Sequence, residues 1–123
     1  MKNILVIDDS PTIRTSVQFA LKSLGHNIHQ AENGQKGLEL ADILIGKKEE
    51  LAICVVDVNM PEMDGISFVK EFRKRDKFTP VLVLTTESED AKMKEGKEAG
   101  ASGWMVKPFK PNDLISVVQK LIR

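Results

Sequence analysis

Short, uninterrupted apolar runs alternate along this chain with stretches of helical periodicity, and that alternation limits its folds more than any other feature. Ile4 to Ile7, Ala52 to Val56, Val81 to Leu84 and Trp104 to Val106 have no polar residue to turn towards water. Strands of this kind need cover on both faces, which parallel sheets obtain because each crossover lays a helix over them. Asn27 to Ala31 is a more polar candidate for a further strand. Between the runs, one helical face collects Ile13, Val17, Ala20, Leu21 and Leu24, the next Leu38, Ala41, Leu44 and Ile45. Ile66, Val69 and Phe72 form a third, and Leu114, Val117, Val118 and Leu121 the last. The pattern predicts five β-α units in a single α/β domain.

The punctuation agrees. Ser10 before Pro11 is an N-cap with proline at the first helical position, Gly25 ends that helix, Asn33 caps the second, and Pro111 opens the last. A fourth helix is expected from about Glu89 to Ala99, but its apolar residues are only Ala91, Met93 and Ala99, with Gly96 among them. It is expected to be the least firmly held element.

The chain has 123 residues, enough for one domain and, on this reading, no second output domain. With 18 basic and 18 acidic side chains its formal net charge is zero, which argues against nucleic-acid binding through phosphate contacts. The basic run from Lys70 to Lys77 reads as the solvated end of a helix. Cys54, the single cysteine, sits in an apolar strand and reads as a small buried hydrophobe. The longest apolar run, Leu51 to Val56, falls far short of the roughly 20 residues that cross a bilayer. The expectation is a cytoplasmic protein without membrane insertion.

Ligands of open α/β sheets sit beyond the carboxyl ends of the strands, so the residues at the end of each run are informative. The first ends in Asp8-Asp9, the third in Asp57, the fourth in Thr85-Thr86 and the fifth in Lys107. Clustered carboxylates repel by about 4 kcal/mol per pair at about 4 Å and an effective dielectric of about 20. Lys107 offsets one charge; the remaining deficit suits a hard divalent cation, and Mg2+ best, because it binds few carboxylates and completes its shell with water and phosphate. Asp57 stands singly after the most hydrophobic strand, the position of a nucleophile, and its attack on phosphorus would give an acyl phosphate. Lys107 and Thr85 are placed to meet the equatorial oxygens of such a transition state.

These residues resemble the receiver domain of two-component response regulators, in particular the free-standing chemotaxis CheY type. The likeness runs through Ile7-Asp8-Asp9-Ser10, Val56-Asp57-Val58-Asn59-Met60-Pro61 with Met63-Asp64-Gly65, Val83-Leu84-Thr85, and Gly100-Ala101-Ser102-Gly103-Trp104 leading to Lys107-Pro108-Phe109. It implies a flavodoxin-like, doubly wound domain over residues 1–123, its five-stranded parallel sheet in the order 2-1-3-4-5 with five helices. It implies that Asp57 accepts a phosphoryl group from a histidine kinase of the CheA-like kind. Asp8, Asp9, Asp57 and the backbone carbonyl of Asn59 would bind Mg2+, and Lys107 and Thr85 would contact the phosphoryl oxygens. A cis peptide at Lys107-Pro108 is implied as well.

The family's switch pairs the threonine after the fourth strand with an aromatic on the fifth, here Thr85 and Trp104. That aromatic is usually tyrosine, and this chain has none. An indole is bulkier and donates through N–H only, so its inward rotation is expected to be restricted. The resemblance also implies that Asn59 and Glu87 flank the path of the hydrolytic water and tune dephosphorylation, and the expectation is a short-lived acyl phosphate. The face of the fourth helix, fifth strand and fifth helix, with Lys92, Trp104 and Lys110, is the expected partner surface. From Ala101 to Arg123 four basic residues face one acidic, which suits an acidic partner segment. The expected partners are the kinase, an effector such as a flagellar motor switch protein, and a phosphatase, with the chain itself monomeric. The chain would catalyse only its own phosphorylation and dephosphorylation. The alternatives are a relay passing phosphate to a histidine phosphotransfer domain, a Mg2+-dependent phosphatase and a phosphorylation-independent interaction module.

Overall fold

The computed structural model describes residues 2–60, 63–86 and 90–122; for residues 90–92 it describes the backbone. The elements run β1 (Asn3–Ile7), α1 (Pro11–Leu21), β2 (Asn27–Ala31), α2 (Gly34–Gly46), β3 (Leu51–Asp57), α3 (Gly65–Arg73), β4 (Val81–Thr85), α4 (Asp90–Ala99), β5 (Gly103–Val106) and α5 (Pro111–Leu121). All strand pairings are parallel, in the order β2-β1-β3-β4-β5. This is the flavodoxin-like doubly wound arrangement the sequence implies.

Side chains alternate across the sheet with period two, and each set meets its own helices. Ile4, Val6, Ile53, Val55, Leu82 and Leu84 pack against Val17 and Leu21 of α1 and Leu114 and Val118 of α5. Leu5, Ile7, Cys54, Val56, Val81 and Val83 meet Leu38 and Ala41 of α2 and Phe68, Val69 and Phe72 of α3. Phe68, absent from the expected helical face, is fully buried, and its ring stacks on Phe72 with centroids 5.6 Å apart. Ile45, expected to face the core, is instead 37% exposed at the end of α2. Two adjacent positions on a helix lie about 100° apart, and Leu44 takes the buried one.

The expected caps form. Ser10 accepts from the Ile13 N–H and Asn33 from the Lys36 N–H; the structure adds a cap at α3, where Asp64 accepts from the Ser67 N–H. After Leu21 the chain tightens into a 3-10 turn, Lys22–Leu24, which Gly25 closes at φ 79°. The basic run is a correction in one respect. Arg73 is half-buried rather than fully solvated: its guanidinium donates to the carbonyls of Asp76, Thr79 and Gly100 and ties the loop after α3 to the end of α4. Cys54 is buried, and burial pushes its thiol up. Among the described residues no helix is long and apolar enough to cross a membrane.

Candidate functional site

β1 and β3 are central strands, so the residues at their carboxyl ends emerge side by side: Ile7 pairs with Val56, and Asp8 and Asp57 come next. Both are buried, 2% and 3% exposed, while Asp9 is open to solvent. One carboxylate oxygen from each of Asp8, Asp9 and Asp57 lies within 4.8 Å of the others. Lys107, delivered by β5, enters this group from the other side of the sheet edge. Its ammonium stands 3.1 Å from Asp8 Oδ2 and 3.2 Å from Asp57 Oδ1.

Local hydrogen bonds hold the two buried carboxylates. Asp8 Oδ1 accepts from the Ser10 N–H at 2.9 Å, and the Asp8 carbonyl accepts from Arg14, whose Nε donates to Gln30. Asp57 Oδ1 accepts from the Asn59 N–H at 3.3 Å. Its other oxygen takes no hydrogen bond among the described residues. The Asn59 side-chain amide donates to Thr86 Oγ1. Thr85 is buried, and its carbonyl accepts from the Lys107 N–H at 2.6 Å, which anchors the lysine's backbone. The Lys107-Pro108 peptide is cis, as the resemblance implies.

Burial pushes the Asp57 carboxyl above its ordinary range, and the neighbouring Asp8 charge adds to this, while Lys107 and the Asn59 N–H oppose it. Three carboxylates here face one ammonium. An all-oxygen donor set with that charge deficit fits a hard divalent cation, and Mg2+ in particular.

Of the residues singled out in the sequence, the structure brings together Asp8, Asp9, Asp57, Asn59 and Lys107, with Thr85 beside them on β4. Trp104 lies apart from the carboxylates, on β5 opposite Val83, its indole packed against the core on the α2–α3 side. Lys110 is exposed at the N-cap of α5 and takes no part in the carboxylate hydrogen bonds. The Lys92 side chain and Glu87 lie outside the described residues. Three contributors had no role assigned to them from the sequence. Arg14 and Thr86 act through their contacts to Asp8 and Asn59, which no local spacing announces. Gly65 carried a signal, as a glycine directly after a helix-capping aspartate. A Cβ there would lie 2.3 Å from the Asp57 carbonyl oxygen, so α3 starts against the backbone that bears Asp57 only because Gly65 has none.

Comparison with known proteins agrees with this geometry. The family model of the response regulator receiver domain matches residues 4–119. The chain is similar to the transcriptional regulatory protein SrrA of Staphylococcus aureus, 37% identical over 120 residues, 98% of this chain. It spans about half the length of that relative, 47%. Among solved structures it resembles the chemotaxis protein CheY4 of Vibrio cholerae, with TM-score 0.89 and 40% identity over 99% of each chain. It also resembles the beryllofluoride-activated receiver domain of DrrB from Thermotoga maritima, with TM-score 0.83 and 27% identity over 98% of this chain and 97% of that one. With the family model matching nearly its whole length, this chain belongs to the response regulator receiver domain family.

Proposed function

We propose that this receiver accepts a phosphoryl group from a histidine kinase on Asp57 and signals through the face formed by α4, β5 and α5, in the control of chemotaxis. The observation that carries this reading is the Lys107 ammonium shared between Asp8 and Asp57 at 3.1 and 3.2 Å. It holds one oxygen of Asp57 in place, together with the Asn59 N–H, and leaves the second free to attack.

In the transfer, that second oxygen forms a bond to phosphorus as the phosphorus–nitrogen bond of the donor phosphohistidine breaks. The bonding pair stays on the imidazole nitrogen, which takes a proton. Lys107 and the Thr85 hydroxyl bind the equatorial phosphoryl oxygens as their charge grows. Receiver domains bind Mg2+ at an acidic pocket; here Asp8, Asp9, Asp57 and the Asn59 carbonyl would hold it, and when bound it neutralises phosphoryl charge. Reversal by water breaks the acyl oxygen–phosphorus bond and returns the Asp57 carboxylate and inorganic phosphate, with Asn59 and Glu87 flanking the water's path. The receiver occupies residues 1–123 and acts only on itself.

The partner surface is that of Lys92, Trp104 and Lys110, a mildly basic face suited to an acidic segment of an effector such as a flagellar motor switch protein. The likeness to CheY4 over 99% of both chains supports chemotaxis as the setting. The test is to add Mg2+ with acetyl phosphate or beryllofluoride and track intact mass and tryptophan emission in wild type and Asp57→Asn. The expected result is one labile phosphoryl group and changed emission in wild type and neither in the variant. Turnover of many equivalents of donor, or no response at all, would overturn the proposal.

A further inference from the structure

Of the α4 side chains described, those of Met93, Lys94, Glu95, Lys97 and Glu98 are exposed, Ala99 is half-buried, and the buried position is Gly96. Glycine in a helix interior is the poorest choice short of proline, so its presence at the buried position among the described ones asks for a compensating contact. That contact is Trp104. A Cβ on Gly96 would lie 2.7 Å from Cζ3 and 3.1 Å from Cε3 of the indole, closer than packed carbon atoms approach. The six-membered ring therefore rests on bare helix backbone, in the volume any other residue would fill.

A second observation concerns the other end of the ring. The indole Nε1 is buried and has no hydrogen-bond partner among the described residues. A buried donor without an acceptor is unfavourable, so the ring is held by packing alone and gains a hydrogen bond to water whenever it leaves. A groove of about 460 Å³, lined by Met93, Lys94, Lys97 and Ser102 among others, borders the ring on its open side.

We propose that Gly96 is the socket for Trp104, and that this pair is the clasp fixing α4 on β5. α3 and the Arg73–Gly100 hydrogen bond also hold α4, but with few apolar residues of its own the helix relies on this aromatic contact for its seat on β5. A glycine that looks in the sequence like a weakness of the helix is the feature that allows the helix to dock. The proposal goes beyond phosphoryl acceptance and concerns the resting chain alone.

A cycle of Gly96→Ala in wild-type and Trp104→Ala backgrounds tests it by thermal unfolding, without Mg2+ or phosphodonor. With Trp104 present, the added methyl group expels the ring and Tm falls. With Trp104 replaced, the socket is empty, the better helix former prevails, and Tm rises by about 3 °C. A rise in both backgrounds would overturn the clasp. A second readout needs only Gly96→Ala. The chain has one tryptophan, hence one indole N–H resonance. It is expected to be protected from solvent exchange in wild type and unprotected in the variant, with faster exchange of the α4 amides. Equal indole exchange in the two proteins would also reject the proposal. Because no phosphoryl chemistry is involved, failure here leaves phosphoryl acceptance standing, and the converse holds.

Discussion

Lys107 Nζ lies 3.1 Å from Asp8 Oδ2, closing a contact between residues 99 positions apart, and it does so 3.2 Å from Asp57 Oδ1. The lysine side chain is 14% exposed and those of its two partners 2% and 5%, so the ammonium compensates two carboxylates that water reaches poorly. Removing one member of a buried charged set costs more than the set contributes, because the remaining charges are stranded. Lys107→Met is expected to lose about 3 kcal/mol of stability in metal-free buffer, from the lower part of the range for such pairs since Asp9 opens the cluster to solvent. Saturating Mg2+ is expected to restore part of that loss by occupying the same carboxylates. Urea midpoints with and without Mg2+ check this; a loss unaffected by Mg2+ would mean that the carboxylates do not bind it.

At the start of α3, backbone meets backbone. A Cβ on Gly65 would stand 2.3 Å from the Asp57 carbonyl oxygen and 2.9 Å from Val58 Cα, neither of which can rotate away. Gly65→Ala is expected to destabilise by about 2 kcal/mol, as overpacking does, and to displace Asp57. Phosphoryl acceptance from acetyl phosphate, read by intact mass, should then fall by more than the unfolded fraction accounts for. A variant with wild-type stability and acceptance would show that the approach relaxes freely.

The loop after α3 is organised by Asp76. Its carboxylate accepts from the N–H groups of Phe78 and Thr79 and from the Thr79 hydroxyl. Burial opposes ionisation of Asp76, but these hydrogen bonds, Thr79's foremost, and the nearby Arg73 charge outweigh it and hold the carboxyl below its ordinary value of 3.8. A depressed folded pKa stabilises the fold above the unfolded value, and that contribution disappears as pH falls through the folded one. Asp76→Asn is therefore expected to cost about 1.5 kcal/mol at pH 7, the lower end of the range for hydrogen bonds to a charged group because Asp76 is only half-buried, and progressively less below about pH 4. Denaturant midpoints of both proteins between pH 7 and pH 3 decide the matter; a gap that widens towards acid would reverse the sign.

The elements were legible in the chain because their signals are local. A run such as Ile4 to Ile7 has no polar face, and Ser10-Pro11 or Asn33 marks a helix start within four residues of itself. The strand-end carboxylates were legible too, since topology alone sends the ends of parallel strands to one edge. Ile45 was misplaced because neighbouring positions near a helix end compete for the buried side, and Leu44 takes it.

What the sequence determined by itself is the order of elements, their apolar faces and the residue types at the sheet's carboxyl edge. All of these rest on interactions within a turn or two of the chain. Only the tertiary structure decided that Lys107 divides its ammonium between Asp8 and Asp57, that Arg73 leaves its basic run to staple two loops, and that Gly96 receives Trp104. Those contacts depend on strand register and helix seating, which the whole core sets at once, so no short stretch of sequence can specify them.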